Sequence, residues 1–273
     1  MDFVIKIAAE ANSITAFPQL RTLFSHNRIK SIIELSKPQL RSDHILFDDN
    51  PWIAGCQGGI LDLRTGQLVK PPDIVTKRLG TSVDPDARCP VFESFLYKIF
   101  AGDGDKIAFL QRAVGYTLTG LTIEQGLFVL IGMGANGKST LLRIVGKLMG
   151  DYAGSIPMHT LMVSRYGSEK TDDLASLKGL RFVSAQEGEA GERLAEAKIK
   201  LMTGGDPISA RRLYGNYEIF QPQFKLWLAT NDLPKIGGTG DAIWRRIHVI
   251  EFPVSIPAAE RDPKLDWCIP GRI

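Results

Sequence analysis

Residues 125–140 read QGLFVLIGMGANGKST. An apolar, β-prone run from Leu127 to Ile131 ends in a glycine loop, and the loop ends in Gly-Lys-Ser-Thr. The spacing is G-x-x-x-x-G-K-S, with Gly132, Gly137, Lys138 and Ser139 at the fixed positions. A continuous apolar run suits a strand buried on both faces. Gly132, Gly134 and Gly137 let the backbone turn tightly and approach phosphate oxygens, so that successive N–H groups line an anion-binding nest. From Lys138 onward Leu141, Leu142, Ile144, Val145 and Leu148 recur at helical spacing. Phosphates would therefore sit at a helix N-terminus, where unpaired N–H groups favour negative charge, and Gly150 is the expected stop. The pattern predicts a nucleoside triphosphate site made by Gly132, Gly134, Ala135, Asn136, Gly137, Lys138, Ser139 and Thr140. Lys138 would reach the β- and γ-phosphates, and the Ser139 hydroxyl would hold Mg²⁺. An accidental glycine-rich turn is the competing reading; the full match between a strand and an amphipathic helix argues against it.

Working outward, the second half of the chain alternates. Strands are expected around Leu180–Val183, over 224–229 and over 247–252, with a helix over 191–202 and a hairpin over 208–220. Strand–helix alternation with a phosphate loop predicts an α/β fold built on a mostly parallel sheet. Such a loop needs an acidic partner at a neighbouring strand end. The run RFVSAQEGE supplies Glu187, read as the metal-side carboxylate, and Glu189, read as the water-orienting base; the two roles are interchangeable, and solvated loop carboxylates are the alternative. The next apolar strand ends in LATN, where the Asn231 amide can touch a γ-phosphate or the attacking water. Taken alone, Asn-Asp before Leu-Pro is ordinary turn chemistry. In DAIWRRIHVIEF, Arg245 and Arg246 stand before a strand. One of them reaching a neighbour's γ-phosphate would stabilise transition-state charge and would require an oligomer. Surface arginines flanking a strand are the plainer alternative.

Residues 198–216, KIKLMTGGDPISARRLYGN, place Lys200, Arg211, Arg212 and Tyr214 in or near a basic hairpin. Cations there can contact phosphates without reading sequence, and an aromatic can stack on a base. A loop of this kind lining a ring's pore would grip single-stranded DNA; a solvated hairpin is the alternative.

The first half is less regular. Residues 1–45 carry helical patches, and 52–69 carry turn signals between short β-prone runs. Residues 71–72 and 85–90 read as a connecting stretch, and helices are expected from Val91 to Phe100 and from about Lys106 to Leu118. At 273 residues, with 44% hydrophobic and 23% charged residues, the chain has the make-up of an ordinary globular protein. No apolar stretch approaches the ~20 residues that span a bilayer, and Asp2, Lys6 and Glu10 argue against a signal peptide. A cytoplasmic protein with no membrane partner is expected. Three cysteines at scattered positions fit neither a disulfide framework nor a zinc pattern. A net charge of +3 permits DNA binding without arguing for it.

The series GMGANGKST, FVSAQEGE, KLMTGGDPISARRLYG, KLWLATNDLP and DAIWRRI resembles the helicase module of phage, phage-satellite and plasmid primase-helicases. These are superfamily-three helicases related to poxvirus primase-helicases. The resemblance covers about residues 50–255, including NPWIAGCQGGILDLRTGQL and LQRAVGYTLTG, which are similar to the family's amino-terminal accessory region. It implies an AAA+-like P-loop ATPase core over 105–273, preceded by a mixed helical and β accessory region over 1–104. It also implies a hexameric ring around DNA with ATP between subunits and 3′-to-5′ unwinding, in the host cell of a phage or mobile element. Lys138 and Ser139 match the loop lysine and Mg²⁺ ligand, Glu187 the acidic strand-end residue and Asn231 the sensor asparagine. Arg245 or Arg246 matches the finger region, and Lys200, Arg211 and Arg212 fall in the pore-loop motif. Two departures stand out. Gly188 separates two carboxylates that are adjacent in many members, and the chain stops soon after the finger region, so the ATPase domain is expected to be truncated at its C-terminus. A primase is an expected partner rather than part of the chain. The competing functions are a small-molecule P-loop kinase and an ATP-binding ring or loader without unwinding activity.

Overall fold

The computed structural model describes residues 25–40, 47–70, 74–163, 172–186, 193–211, 215–238, 240–262 and 265. Residues 1–46 and 47–273 form separate compact units. In the first, α1 (His26–Leu40) is held by local bonds, among them the Lys37–Glu34 ion pair at 2.7 Å.

The second unit is built on a five-stranded sheet whose strands all run parallel. They are β5 (Leu127–Ile131), β6 (Ala153–Ser155), β7 (Phe182–Gln186), β10 (Lys225–Thr230) and β11 (Ile247–Glu251), in the spatial order β11-β5-β10-β7-β6. This is the expected α/β class with a parallel sheet. Because both faces are covered, the central strands are apolar throughout rather than alternating. Their side chains divide between two cores. Phe128, Leu130, Phe182, Trp227 and Ala229 face one, with α4 (Lys138–Met149) packed over them. Leu127, Val129, Val183, Leu226 and Leu228 face the other, with α6 (Glu196–Thr203) beneath. On the first face, register aligns Trp227, Phe128 and His248 across three strands. Their rings stack at centroid distances of 4.5 and 5.3 Å. Burial among these rings pushes the His248 imidazole below its ordinary pKa.

A second sheet, in the order β3-β2-β1-β4, comprises β1 (Ile53–Gln57), β2 (Gly59–Asp62), β3 (Gln67–Val69) and β4 (Arg78–Ser82). Three of these strands fall in the expected β region; β4, which pairs parallel to β1, was not anticipated. Ala54, Cys56, Leu61 and Leu79 share a core with α4 and with α2 (Pro90–Ile99). β4 lies so close to the end of α4 that a Cβ at Gly80 would collide with the Lys147 carbonyl. α3 (Gly104–Leu118) starts at Asp103, whose carboxylate accepts the Lys106 N–H at 3.0 Å as an N-cap.

Two buried cations fasten this assembly at the amino ends of β7 and β10. Arg181 is 1% exposed, lies over the Tyr152 ring at 4.6 Å, and donates to the carbonyls of Leu118 (2.7 Å) and Ile53 (2.6 Å). Lys225 is 2% exposed and donates to the carbonyls of Thr119, Leu121 and Gln223 at 2.5–3.3 Å. Burial lowers both pKa values, that of Lys225 far below its ordinary 10.5. Arg181 thus joins β1, the end of α3 and the main sheet through one side chain. Arg181→Ala would orphan two buried carbonyls and remove the packing on Tyr152. A loss of roughly 3 kcal/mol is expected, each orphaned group costing about 1–3 kcal/mol, and chemical denaturation should read it directly. A midpoint within error of wild type would refute that role.

The helix expected over 191–202 starts later, at Glu196, because Leu194 bridges to Met162 and Arg193 to Lys235 in extended backbone. β6 and the short α5 (Asp172–Ala175) were not foreseen. Among the described residues, no helix is long and apolar enough to cross a membrane.

Candidate active site

The carboxyl ends of β5, β7, β10 and β11 lie along one edge of the sheet. Register pairs Ile131 with Thr230 and with Glu251, and Ala229 with Gln186. Open α/β sheets bind ligands at that edge. A cleft of about 320 Å³ opens there, between the loop Gly134–Thr140 and Gln186, Thr230 and Asn231.

Gly137 caps α4 at φ +92, and a Cβ there would press on Ile99 and Phe95 of α2 at 2.9–3.0 Å. Glycine is therefore required twice at this position, by the backbone and by packing. The loop's far side is braced by the chain leaving β11: Phe252 N donates to the Ile131 carbonyl and Ile256 N to the Ala135 carbonyl, both at 2.8 Å. The loop is thus wedged between α2 and residues 252–256, with the first residues of α4, Lys138 to Thr140, lining the cleft.

Lys138 is buried, and its ammonium donates to the Gly132 carbonyl, to Asn136 Oδ1 at 3.2 Å and to Asn231 Oδ1 at 3.4 Å. These partners are all neutral oxygens, and desolvation lowers its pKa. A cation in such surroundings gains from an anion entering the cleft. Asn136 is 3% exposed; Lys138 holds its oxygen, and its Nδ2 has no hydrogen-bond partner among the described residues. Ser139 is exposed at the cleft wall, and Thr140 is half-buried beside it.

Of the residues singled out in the sequence, Lys138 and Asn231 come within hydrogen-bond reach of each other. Glu187 and Glu189 lie outside the described residues, which resume β7 only as far as Gln186. Among the described residues, no three His, Cys, Asp or Glu side chains gather where they could hold a metal. Gln186 and Thr230 line the cleft and were missed; each immediately precedes a strand-end residue that was read as functional, and that adjacency was the available signal.

The two arginines part company. Arg246 is 7% exposed and bonds Thr203 Oγ1 at 3.2 Å and the Ala242 carbonyl. Burial lowers its pKa, with Arg245 adding repulsion. Arg245 is exposed and donates to Gln125 Oε1 at 2.9 Å.

The expected hairpin is present as β8 (Ile208–Arg211) and β9 (Tyr217–Phe220), antiparallel, with Arg211 opposite Tyr217. Ile208, Ala210 and Phe220 are buried beneath it, whereas Ser209, Arg211, Tyr217 and Ile219 form its exposed face. The Arg211 guanidinium lies 5.6 Å from the Tyr217 ring centroid and also bonds the Gly215 carbonyl at 2.9 Å. Lys200 is half-buried on α6, and Arg212 and Tyr214 lie outside the described residues. Tyr217, 68% exposed, was passed over, and the alternation of YEIF would have turned it inward, since the exposed face of β9 carries the apolar Tyr217 and Ile219.

Known proteins match this arrangement. The family model described as D5 N terminal like aligns with residues 5–101, and a family of unknown function, DUF5906, with residues 130–246. A candidate helicase of Acanthamoeba polyphaga mimivirus is 32% identical over 213 residues, which are 76% of this chain and 22% of that protein. A candidate primase of African swine fever virus is 30% identical over 129 residues, 46% of this chain and 13% of that protein. The chain is similar to D5-like primase-helicase modules of large DNA viruses. It spans about a quarter or less of the length of these curated relatives. The chain also matches a candidate helicase of Invertebrate iridescent virus 3, at 26% identity over 81% of this chain and 25% of that protein. Among solved structures, the apo NrS-1 C-terminal region superposes with a TM-score of 0.58 at 13% identity, covering 87% of this chain and 56% of that one. That likeness concerns the fold, and it agrees with the α/β core built on a parallel sheet.

Proposed function

We propose that this module is the ATP-hydrolysing, DNA-translocating part of a superfamily-three ring helicase that serves replication of a virus or mobile element in its host's cytoplasm. The observation that carries the reading is the meeting of Lys138, Asn136 and Asn231 at the carboxyl edge of the parallel sheet, beside the N-terminus of α4. A desolvated ammonium, a row of helix N–H groups and a buried amide nitrogen without a partner together fit a triphosphate. Lys138 would hold the β- and γ-phosphates, and Ser139 and Glu187 would hold Mg²⁺, which would supply positive charge against that developing on the transferred phosphoryl group. Asn231 would exchange its contact with Lys138 for the γ-phosphate or the attacking water, and Glu187 or Glu189 would orient that water. Arg245 is the better finger, since Arg246 is committed inside its own subunit. Arg211 and Tyr217 present a cation and a ring on one wet face, a pairing suited to the backbone and bases of a single strand, with Lys200, Arg212 and Tyr214 completing the set. The names of the viral relatives support a helicase with a primase as its companion.

The test is ATP turnover and molecular mass, each measured with and without single-stranded DNA. DNA-stimulated hydrolysis by a hexameric species is expected. Turnover by a monomer, indifferent to DNA and dependent on a small-molecule acceptor, would replace this reading with a kinase.

A further inference from the structure

The segment that follows β10 is fastened at two points that the proposed reaction does not use. Gly238 N donates to Glu196 Oε1 at 2.5 Å, and the Gly238 carbonyl accepts the Trp244 indole N–H at 3.1 Å. Upstream, Leu194 N donates to the Lys235 carbonyl at 3.0 Å. Gly237 and Gly238 pack flat on these side chains. A Cβ at the first would collide with the Arg193 guanidinium, and at the second with the Glu196 carboxylate. One peptide unit, Gly238, therefore joins the start of α6 to α7 (Asp241–Trp244), the turn that ends in Arg245.

Trp244 is 46% exposed, so its packing does not explain its place, whereas its N–H is spent on the Gly238 carbonyl. The Arg245 backbone N–H bonds the Asp241 carbonyl at 3.0 Å, and its guanidinium leans on Gln125. Among the described residues, the bonds made by Arg245 itself thus run to the α7 turn and to Gln125. The geometry points to Glu196 and Trp244 as positioning residues for Arg245, acting through Gly238. Resting on the ring reading above, this means that the finger offered to a neighbouring subunit is aimed from the start of α6, the helix that leads into the hairpin. An arginine acts on developing charge only when held in register, and a misplacement of an ångström can cost about a hundredfold.

The test is Trp244→Phe, which keeps the ring and removes the donor. Turnover is expected to fall about ten- to a hundredfold, with ATP affinity, molecular mass and melting temperature as in wild type. Glu196→Gln, which keeps an oxygen for Gly238 N, should retain more turnover than Glu196→Ala. Mixing then separates causes. Lys138→Ala subunits lack a working loop but carry an intact finger, so adding them to Trp244→Phe should restore turnover beyond dilution, and Arg245→Ala treated alike is the control. Recovery of both variants supports the positioning role. Recovery of Arg245→Ala alone overturns it, as does wild-type turnover in Trp244→Phe. Recovery of neither overturns action between subunits, and with it the inference that depends on it.

Discussion

Lys138→Ala is expected to reduce ATP hydrolysis by at least 10²- to 10³-fold, the range set by removing one preorganised charge partner of a reacting group. Among the described residues, the ammonium's partners in the cleft are all neutral: the Gly132, Asn136 and Asn231 oxygens. Its burial is therefore a cost that the folded protein carries for a ligand, and removing it should leave the melting temperature nearly unchanged. Steady-state hydrolysis and thermal melting on the same preparation check both halves. Turnover above a tenth of wild type would mean that the loop does not carry the chemistry. A collapse in melting temperature would mean that Lys138 is chiefly structural.

Arg245→Ala should lower kcat by about 10³-fold or more, the usual worth of an arginine finger, while nucleotide affinity and melting temperature stay as they are. Arg246→Ala should do something different. Its guanidinium satisfies Thr203 and the Ala242 carbonyl in a buried position, so its loss should lower the melting temperature first and activity only in consequence. Single-turnover kinetics and calorimetry on the two variants distinguish these fates. If Arg246→Ala were the stable, slow enzyme and Arg245→Ala the unstable one, the assignment would be reversed.

The sequence made some of this plain and hid the rest, for identifiable reasons. Gly132 to Thr140 is a local motif whose geometry is fixed by residues adjacent in the chain, so strand, loop and helix could all be read. The hairpin over 208–220 was legible from its turn residues and the short β-prone runs beside them. The insertion of β10 between β5 and β7 was not, because parallel pairing joins residues nearly a hundred positions apart and leaves no local trace. Arg245 and Arg246 are identical in type and adjacent, so only their surroundings separate them. Arg181 and Lys225 each precede an apolar strand and read as ordinary solvated flanks; their burial depends on carbonyls from β1 and the end of α3 that no pattern around them announces. Trp244 and Glu196 went unnoticed because their common partner is a backbone group.

Residues 252–256 have a practical bearing on how this protein is handled at the bench. They follow the last strand and read as a tail to be trimmed, yet Phe252 and Ile256 supply the N–H groups that hold Ile131 and Ala135, and Glu260 reaches back to Lys98 at 2.5 Å. An expression limit or affinity tag set at the end of β11 would remove these braces from the Gly132–Thr140 loop while leaving every motif residue in place. A clone lost in that way would be misread as an inactive protein.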